Sequence, residues 1–256
     1  MRPPCDLELV VPALNEEHRL PATLIAMLTE LDRLDGISSR IVVVDNGSSD
    51  RTAETVDALR AIYGDDRLTL IGCSIGGKGA AVRRGVLTSQ ARSIGFVDAD
   101  LATPAHVIHD VVALLATGHD VVIASRRCAG ATYSVHQPPV RRVGSWAFRR
   151  AIRGLVPDVS DTQCGFKFFS ARAASNLFSE LATAGFSFDV ELLVRAHALG
   201  YVIREVPIAW SDAASSSLNP VNHGGQILRE LIRLRRDQLA PRRAAVRRPA
   251  RRLIRG

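Results

Sequence analysis

The 256-residue sequence predicts an α/β fold in which a doubly wound mixed sheet forms a single main domain. Short apolar runs alternate with helical segments through the first half of the chain, as expected of strand–helix units that build a parallel sheet. These runs are rich in valine and isoleucine, which is typical of strands buried on both faces. Polar, turn-forming segments follow the runs, and ligands bind at this edge of such sheets. We therefore expect the functional residues in the loops after the strands.

The first half divides into five strands and the helices between them. Leu24, Leu28 and Leu31 share one face of the first predicted helix, and Pro21 suits its first turn. Pro12 is expected to end the first strand. The predicted strands cover 7–11, 40–44, 68–71, 94–97 and 120–124, and the predicted helices cover 21–34, 52–63, 80–88 and a segment that begins at Pro104.

The second half is less regular, and it suggests a main domain followed by two appendages. The predicted elements are a loop over 126–140, a helix with an arginine-rich face over 141–156, a strand over 162–170, a helix over 189–199, a strand over 202–210 and an amphipathic helix over 225–240. The expected boundaries are a domain over 1–215, a linker with the amphipathic helix over 216–240, and an arginine-rich tail over 241–256. Low apolar content and charge of one sign predict that this tail is disordered.

Composition places the chain among soluble globular proteins. Apolar residues make up 46% of the chain and charged residues 23%, so a proper core can form. No run approaches the roughly 18 apolar residues of a membrane span. The four cysteines are scattered without a C-x-x-C pair, and the N-terminus lacks an apolar leader. These features predict free thiols in a cytoplasmic protein.

The positive charge is concentrated at the C-terminus. The formal net charge is +7, and residues 242–256 contain seven arginines and no acid. The rest of the chain carries 26 basic and 26 acidic groups. The tail is therefore expected to bind an anionic membrane surface. Nucleic acid is the alternative partner, but the neutral globular part and the lack of interleaved aromatic and basic residues argue against it.

Two acidic residues follow the fourth predicted strand. Asp98 and Asp100 are two residues apart, and side chains with this spacing point to the same side of a strand, so we expect them to converge at its carboxyl end. Two ionised carboxylates at close range repel unless a hard cation such as Mg²⁺ or Mn²⁺ lies between them and a substrate phosphate. An exposed acidic turn is the alternative interpretation.

Five motifs lie at the predicted strand ends and in the loops that follow them. In chain order they are Pro12-Ala13-Leu14-Asn15-Glu16-Glu17, Val44-Asp45-Asn46-Gly47-Ser48-Ser49-Asp50, Gly77-Lys78-Gly79, Asp98-Ala99-Asp100 and Asp161-Thr162-Gln163-Cys164-Gly165-Phe166-Lys167. Together, in this order, they resemble the family-2 inverting glycosyltransferases of GT-A fold. Within that family the chain is most similar to the dolichyl- and polyprenyl-phosphate glucose and mannose synthases, and the resemblance runs from about residue 7 to about residue 210.

The resemblance implies a site for a nucleotide sugar and a metal ion. Asp98 and Asp100 would bind Mg²⁺ or Mn²⁺, and Asp45 would accept a hydrogen bond from the base or ribose. Ala102 stands where related mannose synthases carry a glutamine ligand, so water is expected to fill that place. The residues implied in donor binding are Pro12, Ala13, Asn15, Glu16, Asp45, Lys78, Asp98, Ala99 and Asp100.

Lys78 has a rival interpretation. The segment from Gly72 to Lys78 matches most of a P-loop, but Gly79 occupies the position where that motif needs Ser or Thr for Mg²⁺. This departure argues against an NTPase. The resemblance instead implies that Lys78 holds the donor's phosphates or sugar from a helix N-terminus.

The resemblance also implies an acceptor site. Arg126, Arg142 and Lys167 would bind an acceptor phosphate, although a solvated basic surface is the alternative for each of them. Asp189 and Lys167 would be catalytic, with Asp189 positioning the acceptor or acting as a base. The other interpretation of Asp189 is a helix N-cap.

The expected function is metal-dependent, inverting transfer of a hexose from a nucleotide sugar, with UDP-glucose favoured, to a polyprenyl phosphate. The expected location is the cytoplasm, with peripheral attachment to the inner face of the membrane. The same chemistry on a soluble acceptor is one alternative, and a non-enzymatic nucleic-acid-binding protein is the other. The sequence leaves the sugar, the acceptor and the oligomeric state open.

Overall fold

A computed structural model describes residues 4–133, 152, 154–185 and 187–210. The strands are β1 Leu7–Ala13, β2 Ser39–Asp45, β3 Leu68–Gly72, β4 Ser93–Val97, β5 Val121–Ser125, β6 Thr132–Tyr133, β7 Phe166–Ser170, β8 Ile203–Pro207 and β9 Ala209–Trp210. The helices are α1 Leu20–Asp32, α2 Thr52–Tyr63, α3 Lys78–Leu87, α4 Val107–Ala116, α5 Ala171–Ser179 and α6 Phe188–Ala198.

The described strands form a mixed sheet of seven strands in the order β3-β2-β1-β4-β7-β5-β8, while β6 and β9 pair separately. β7 is antiparallel to both β4 and β5, and the other pairings are parallel. The chain leaves β1 toward β2 and β3 and then returns to β4 on the other side of β1. This reversal opens a crevice beyond the carboxyl ends of β1 and β4, where doubly wound sheets bind ligands.

Helices cover both faces of the sheet, so the central strands are buried on both sides. Val10 and Phe96 pack with α3, α5 and α6 on one face. Val11 and Val97 pack with α1, α2 and α4 on the other face. Alternate strand residues therefore enter opposite halves of the core, which explains the continuous apolar runs in the sequence.

Within the described ranges the predicted strands and helices are present, with shifted ends. β6 lies in the segment predicted as a loop over 126–140, and the strand predicted over 202–210 is divided into β8 and β9. β1 continues through Pro12 to Ala13, so the expectation that Pro12 ends the strand is wrong. Pro12 is opposite Val44 of β2, whereas the pairing with β4 stops at Val10. Because no described strand pairs with β1 on that side beyond Val10, a residue without an N–H is tolerated there. β4 ends at Val97, so Asp98 and Asp100 lie in the following turn rather than on a strand.

One helix was not predicted, and several predicted features lie outside the described residues. α5 begins after Ser170, whose hydroxyl accepts the N–H of Ala173 at 3.2 Å as an N-cap. The helix over 141–156, the amphipathic helix and the arginine tail fall wholly or largely outside the described ranges. No helix within those ranges is both long and apolar enough to cross a membrane. All four cysteines are described, and they are free thiols.

Candidate active site

The loops after β1 and β2 form one wall of the crevice. Asn15 adopts a positive φ of 56°, and its N–H donates to Ser48 Oγ at 2.9 Å. The Asn15 side-chain oxygen accepts the N–H of Ser49 at 2.8 Å. Asp45 lies opposite Ala13 at the end of β2, and its Oδ1 accepts both the N–H and the hydroxyl of Ser48. These bonds join the two loops, so Asn15 and Asp45 lie close together at the sheet edge.

Glu16 brings a third carboxylate toward the acidic pair. Its N–H donates to Thr52 Oγ1 at 2.8 Å, and its carboxylate accepts two hydrogen bonds from Arg19 at 2.7 and 2.8 Å. Burial raises the pKa of Glu16 above its ordinary value, Arg19 opposes this change, and Asp100 and Asp98 add to it. Asp98 and Asp100 are therefore near enough to Glu16 for their charges to act on it.

Backbone contacts hold the turn that carries the acidic pair. The N–H of Asp98 donates to the carbonyl of Gly165 at 2.9 Å. A Cβ atom at Gly165 would lie 2.0 Å from Asp98 Oδ2, so the carboxylate packs where only glycine leaves room. Asp100 Oδ1 accepts the N–H of Ala102 at 3.1 Å, and Thr23 Oγ1 donates to the carbonyl of Ala99 at 2.7 Å. The orientation of Asp98 therefore depends on Gly165, in the motif that runs from Asp161 to Lys167.

Lys78 faces this acidic turn from the first residue of α3. Its Nζ lies 2.5 Å from Asp98 Oδ1, and its side chain is 18% exposed. Burial alone would lower the pKa of Lys78, but Asp98, Asp189 and Asp100 outweigh it and raise the pKa. Lys78 is therefore charged and lies among three carboxylates.

The glycines on both sides of Lys78 allow a second loop to pack closely. A Cβ atom at Gly77 would lie 2.3 Å from the carbonyl oxygen of Ala184, and one at Gly79 would lie 2.6 Å from that of Thr183. The buried carboxylate of Glu191 accepts the N–H groups of Ala182 and Thr183, at 3.0 and 2.8 Å. Glu191 thus fixes the loop that holds the start of α3.

Asn46 is a structural residue of this site that the sequence analysis did not single out. Its amide nitrogen donates to the carbonyls of Cys73 and Ile75 at 3.2 and 2.7 Å. Its amide oxygen accepts the N–H of Gly77 at 2.7 Å. Asn46 therefore joins the loop after β2 to the turn before α3. The sequence signal that could have identified Asn46 is a side-chain amide directly after a strand, because such an amide readily forms hydrogen bonds with backbone groups of nearby loops.

Lys167 and Asp189 form a buried ion pair on the floor of the site. Lys167 is 0% exposed and Asp189 is 4% exposed. Lys167 Nζ lies 2.5 Å from both Asp189 Oδ1 and the carbonyl oxygen of Cys164, and 5.5 Å from the centre of the Phe96 ring. Burial raises the pKa of Asp189, while Lys167 and Lys78 oppose that change.

The burial and contacts of this ion pair bear on the roles predicted for Asp189 and Lys167. The N-cap interpretation of Asp189 is wrong, because Ser187 occupies the N-cap position and Asp189 lies in the first turn of α6. Lys167 lacks the exposed ammonium that direct contact with an acceptor phosphate requires. Its described partners indicate that it positions and neutralises Asp189.

Arg126 follows β5, as predicted, and is bound to Asp161. Its guanidinium donates to both Asp161 oxygens at 2.6 and 2.9 Å and lies 5.6 Å from the Trp210 ring. Burial would raise the pKa of Asp161, but hydrogen bonds and charge from Arg126 outweigh it and lower the pKa to about 2. Glu205 accepts the N–H groups of Ser160 and Asp161 at 3.0 and 3.1 Å. Arg126 therefore steadies the loop that leads to Gly165, and Arg142 lies outside the described residues.

The donor set fits a divalent metal ion. Asp98 and Asp100 provide hard oxygen ligands, and Lys78 already brings a cation to Asp98 Oδ1. Within the described ranges, no group of three or more His, Cys, Asp or Glu residues could hold a metal. Mg²⁺ and Mn²⁺ suit such a site, because one or two carboxylates together with substrate phosphates and water can complete their coordination.

Comparison with known proteins gives a consistent family match. The model of the family described as glycosyl transferase family 2 matches residues 8–178. A dolichyl-phosphate beta-glucosyltransferase from Dictyostelium discoideum is 30% identical over 240 residues, which span 90% of this chain and 73% of that protein. Its Homo sapiens counterpart is 31% identical over 248 residues, which span 91% and 76%.

Solved structures show the same architecture. Glucosyl-3-phosphoglycerate synthase from Mycobacterium tuberculosis, in complex with Mn²⁺, UDP and glucosyl-3-phosphoglycerate, matches with a TM-score of 0.69 and 19% identity. The match covers 91% of this chain and 80% of that one. The complex of that enzyme with Mg²⁺ and UDP gives a TM-score of 0.68 at 20% identity and covers 91% and 79%. These matches confirm the predicted GT-A fold.

Proposed function

This chain belongs to glycosyltransferase family 2, and we propose that it transfers a hexose from a nucleotide sugar, with UDP-glucose favoured, to a polyprenyl phosphate. The observation that carries the proposal is the contact between Lys78 and Asp98, in the acidic turn after β4, beside the point where the strand order reverses. The names of the sequence relatives support a dolichyl-phosphate type of acceptor and a glucosyl donor.

The joined loops after β1 and β2 suit the nucleoside end of the donor. Asp45 and Asn15 are fixed by hydrogen bonds to the backbone and hydroxyl groups of Ser48 and Ser49, so little ordering is needed when a ligand binds. Pro12 and Ala13 are the last two residues of β1 and lie at the same edge of the sheet. We assign base and ribose recognition to this wall, with the diphosphate toward Lys78 at the N-terminus of α3.

Asp98 and Asp100 would hold the metal ion against the diphosphate. A bound Mg²⁺ or Mn²⁺ ion neutralises the charge that develops on the departing nucleoside diphosphate. Lys78 brings a further positive charge to the same region, and Gly165 keeps the Asp98 carboxylate in place. Fixed charges that await a developing anion are the main source of rate enhancement in this kind of transfer.

The acceptor needs orientation more than a strong base. A phosphate monoester is already anionic at neutral pH, so it can attack the anomeric carbon in a single displacement with inversion. Asp189, held by Lys167, would form the floor against which the acceptor is placed. Arg126 keeps 22% of its side chain exposed while it binds Asp161, so it can also face an acceptor phosphate. Arg142 is proposed for the same role.

We also propose peripheral attachment to an anionic membrane through the arginine tail. Each arginine near such a surface contributes about 1 kcal/mol at most, so several together suffice for reversible binding. Sedimentation with anionic liposomes tests this attachment, and loss of binding on deletion of 241–256 is the expected result. No sedimentation of the full chain at low salt contradicts it.

A donor panel tests the proposed reaction. Release of nucleoside diphosphate is measured with Mn²⁺ or Mg²⁺, with and without polyprenyl phosphate, and release that depends on UDP-glucose and on the lipid is expected. Asp100→Ala should abolish metal-dependent release while the protein stays folded, because one of two carboxylate ligands is lost. Asp35→Ala removes an exposed carboxylate before β2, at the opposite edge of the sheet, and should leave the rate unchanged. Full activity of Asp100→Ala removes the role assigned to the acidic pair.

A further inference from the structure

We propose that the Lys78 ammonium and a divalent metal ion compete for the same oxygen of Asp98, so that tight metal binding requires a nucleoside diphosphate. The inference rests on the proposed function and extends it from the identity of the metal ligands to the order in which they become available. Lys78 would serve as an internal counter-cation when no donor is bound.

Geometry makes the two cations mutually exclusive at Oδ1 of Asp98. Lys78 Nζ lies 2.5 Å from Oδ1, and Mg²⁺ binds an oxygen ligand at about 2.0–2.1 Å, so the ammonium occupies the space that a metal ion on this oxygen needs. Both carboxylate oxygens lie against Gly165, where an added Cβ atom would be 2.0 Å from Oδ2 and 2.4 Å from Oδ1. Oδ1 is buried and in contact with the Lys78 ammonium, so a metal ion that binds this oxygen must displace the ammonium.

Lys78 can move only through its side chain. Gly77 and Gly79 are packed against the carbonyl oxygens of Ala184 and Thr183, and the N–H of Ala80 donates to Ala184 at 3.2 Å. The Glu191 carboxylate holds the same loop by accepting hydrogen bonds from the N–H groups of Ala182 and Thr183. The start of α3 is thus fixed, and the ammonium can exchange partners within the reach of one lysine side chain.

Charge balance explains why the exchange depends on nucleotide. Without a ligand, Lys78 offsets one of the two carboxylates in the turn, and its side chain is only 18% exposed. Displacing it would leave a poorly hydrated cation beside an incoming divalent ion, which is costly at such burial. A diphosphate supplies the missing negative charge. Both the N-terminus of α3 and the Lys78 ammonium favour binding of its phosphates beside the acidic turn. Metal and nucleotide binding should therefore be strongly coupled.

Direct metal titration tests the competition. Binding of Mn²⁺ to the full chain is followed by electron paramagnetic resonance, with and without UDP, for wild type, Lys78→Met and Lys78→Gln. Without UDP, both variants should bind Mn²⁺ roughly tenfold more tightly than wild type, within the range of about 5- to 150-fold typical of coupled sites. UDP should tighten Mn²⁺ binding to wild type and have a smaller effect on the variants. Two variants are used so that poor folding of either one leaves the test intact, and folding is checked by thermal unfolding.

Arg84→Met is the matched control. Arg84 is an exposed cation on the same helix, so the substitution removes the same charge without touching Asp98. Its Mn²⁺ affinity should equal that of wild type. Equal or weaker Mn²⁺ binding by the Lys78 variants, in the absence of UDP, overturns the inference while leaving the metal site intact. Failure of every protein to bind Mn²⁺, even with UDP, overturns the proposed metal site as well.

Discussion

Gly165→Ala should displace Asp98 and lower activity without unfolding the protein. The added Cβ atom would lie 2.0, 2.2 and 2.4 Å from the Oδ2, Cγ and Oδ1 atoms of Asp98. Real Cβ atoms essentially never lie within 3.0 Å of such neighbours, so Oδ2 has to move by about 1 Å. The side chain can move into the crevice, while the backbone bond from Asp98 to the carbonyl at 165 can persist.

The expected loss is large because the displaced group belongs to the proposed metal site. A misplacement of about 1 Å can reduce rate roughly 100-fold. We therefore expect kcat/KM for the nucleotide sugar to fall about 100-fold, which corresponds to about 2.7 kcal/mol of lost transition-state stabilisation. The assay is metal-dependent release of nucleoside diphosphate, with thermal unfolding measured on the same preparations.

Gly72→Ala is the control for this substitution. Gly72 ends β3, no atom of the described residues lies within 4 Å of its added Cβ, and its backbone is not in the left-handed region. The control should retain wild-type kcat/KM. If Gly165→Ala keeps kcat/KM within threefold of the control, then the contact between Gly165 and Asp98 does not set the geometry of the site, and the reasoning fails.

Two further predictions concern the buried ion pairs. Lys167→Met leaves Asp189 buried without its partner, so the free energy of unfolding should fall by roughly 3–5 kcal/mol in urea titrations. The double variant Lys167→Met/Asp189→Leu should recover most of this loss. A loss below about 1 kcal/mol in the single variant contradicts the pairing. The folded-state pKa of Asp161 is about 2, below its ordinary value of 3.8. Its ionised form therefore contributes about 2 kcal/mol above pH 4, and this contribution is lost as the pH falls toward 2. The stability difference between wild type and Asp161→Asn should shrink by about that amount between pH 5 and pH 2, and a constant difference would show that Arg126 does not stabilise this carboxylate.

The sequence predicts the sheet better than it predicts the contacts of charged residues. Continuous runs of valine and isoleucine mark β1, β2 and β5, because these strands are buried on both faces. The direction of β7 carries no comparable signal, since Phe-Lys-Phe-Phe reads alike in parallel and antiparallel strands. Its antiparallel insertion between β4 and β5 places Lys167 in the interior, with no route to the surface. The sequence alone therefore predicts a lysine available to an acceptor phosphate, whereas the structure buries it.

Arg126 shows a similar limit. Its position after β5 follows from the alternation of strands and helices, and the structure places it there. Its partner Asp161 lies 35 residues later, in a motif that was recognised but whose first residue received no role. Local patterns locate each charged group at the sheet edge, but the pairing depends on how distant loops meet, which a single sequence does not specify.

Lysine usage is the compositional signal that the sequence analysis overlooked. The chain contains 33 lysines and arginines, and only two of them, Lys78 and Lys167, are lysines. Each lies 2.5 Å from a carboxylate at the site, Lys78 from Asp98 and Lys167 from Asp189. An ammonium is a compact point charge that fits between a carboxylate and an aromatic ring, whereas a guanidinium would bring five fixed donors that these confined positions cannot all satisfy. Surface positive charge can be supplied by arginine, so lysine is retained where a small, mobile cation is required. This argument explains why Lys167 can be fully buried and why Lys78 can exchange one anionic partner for another.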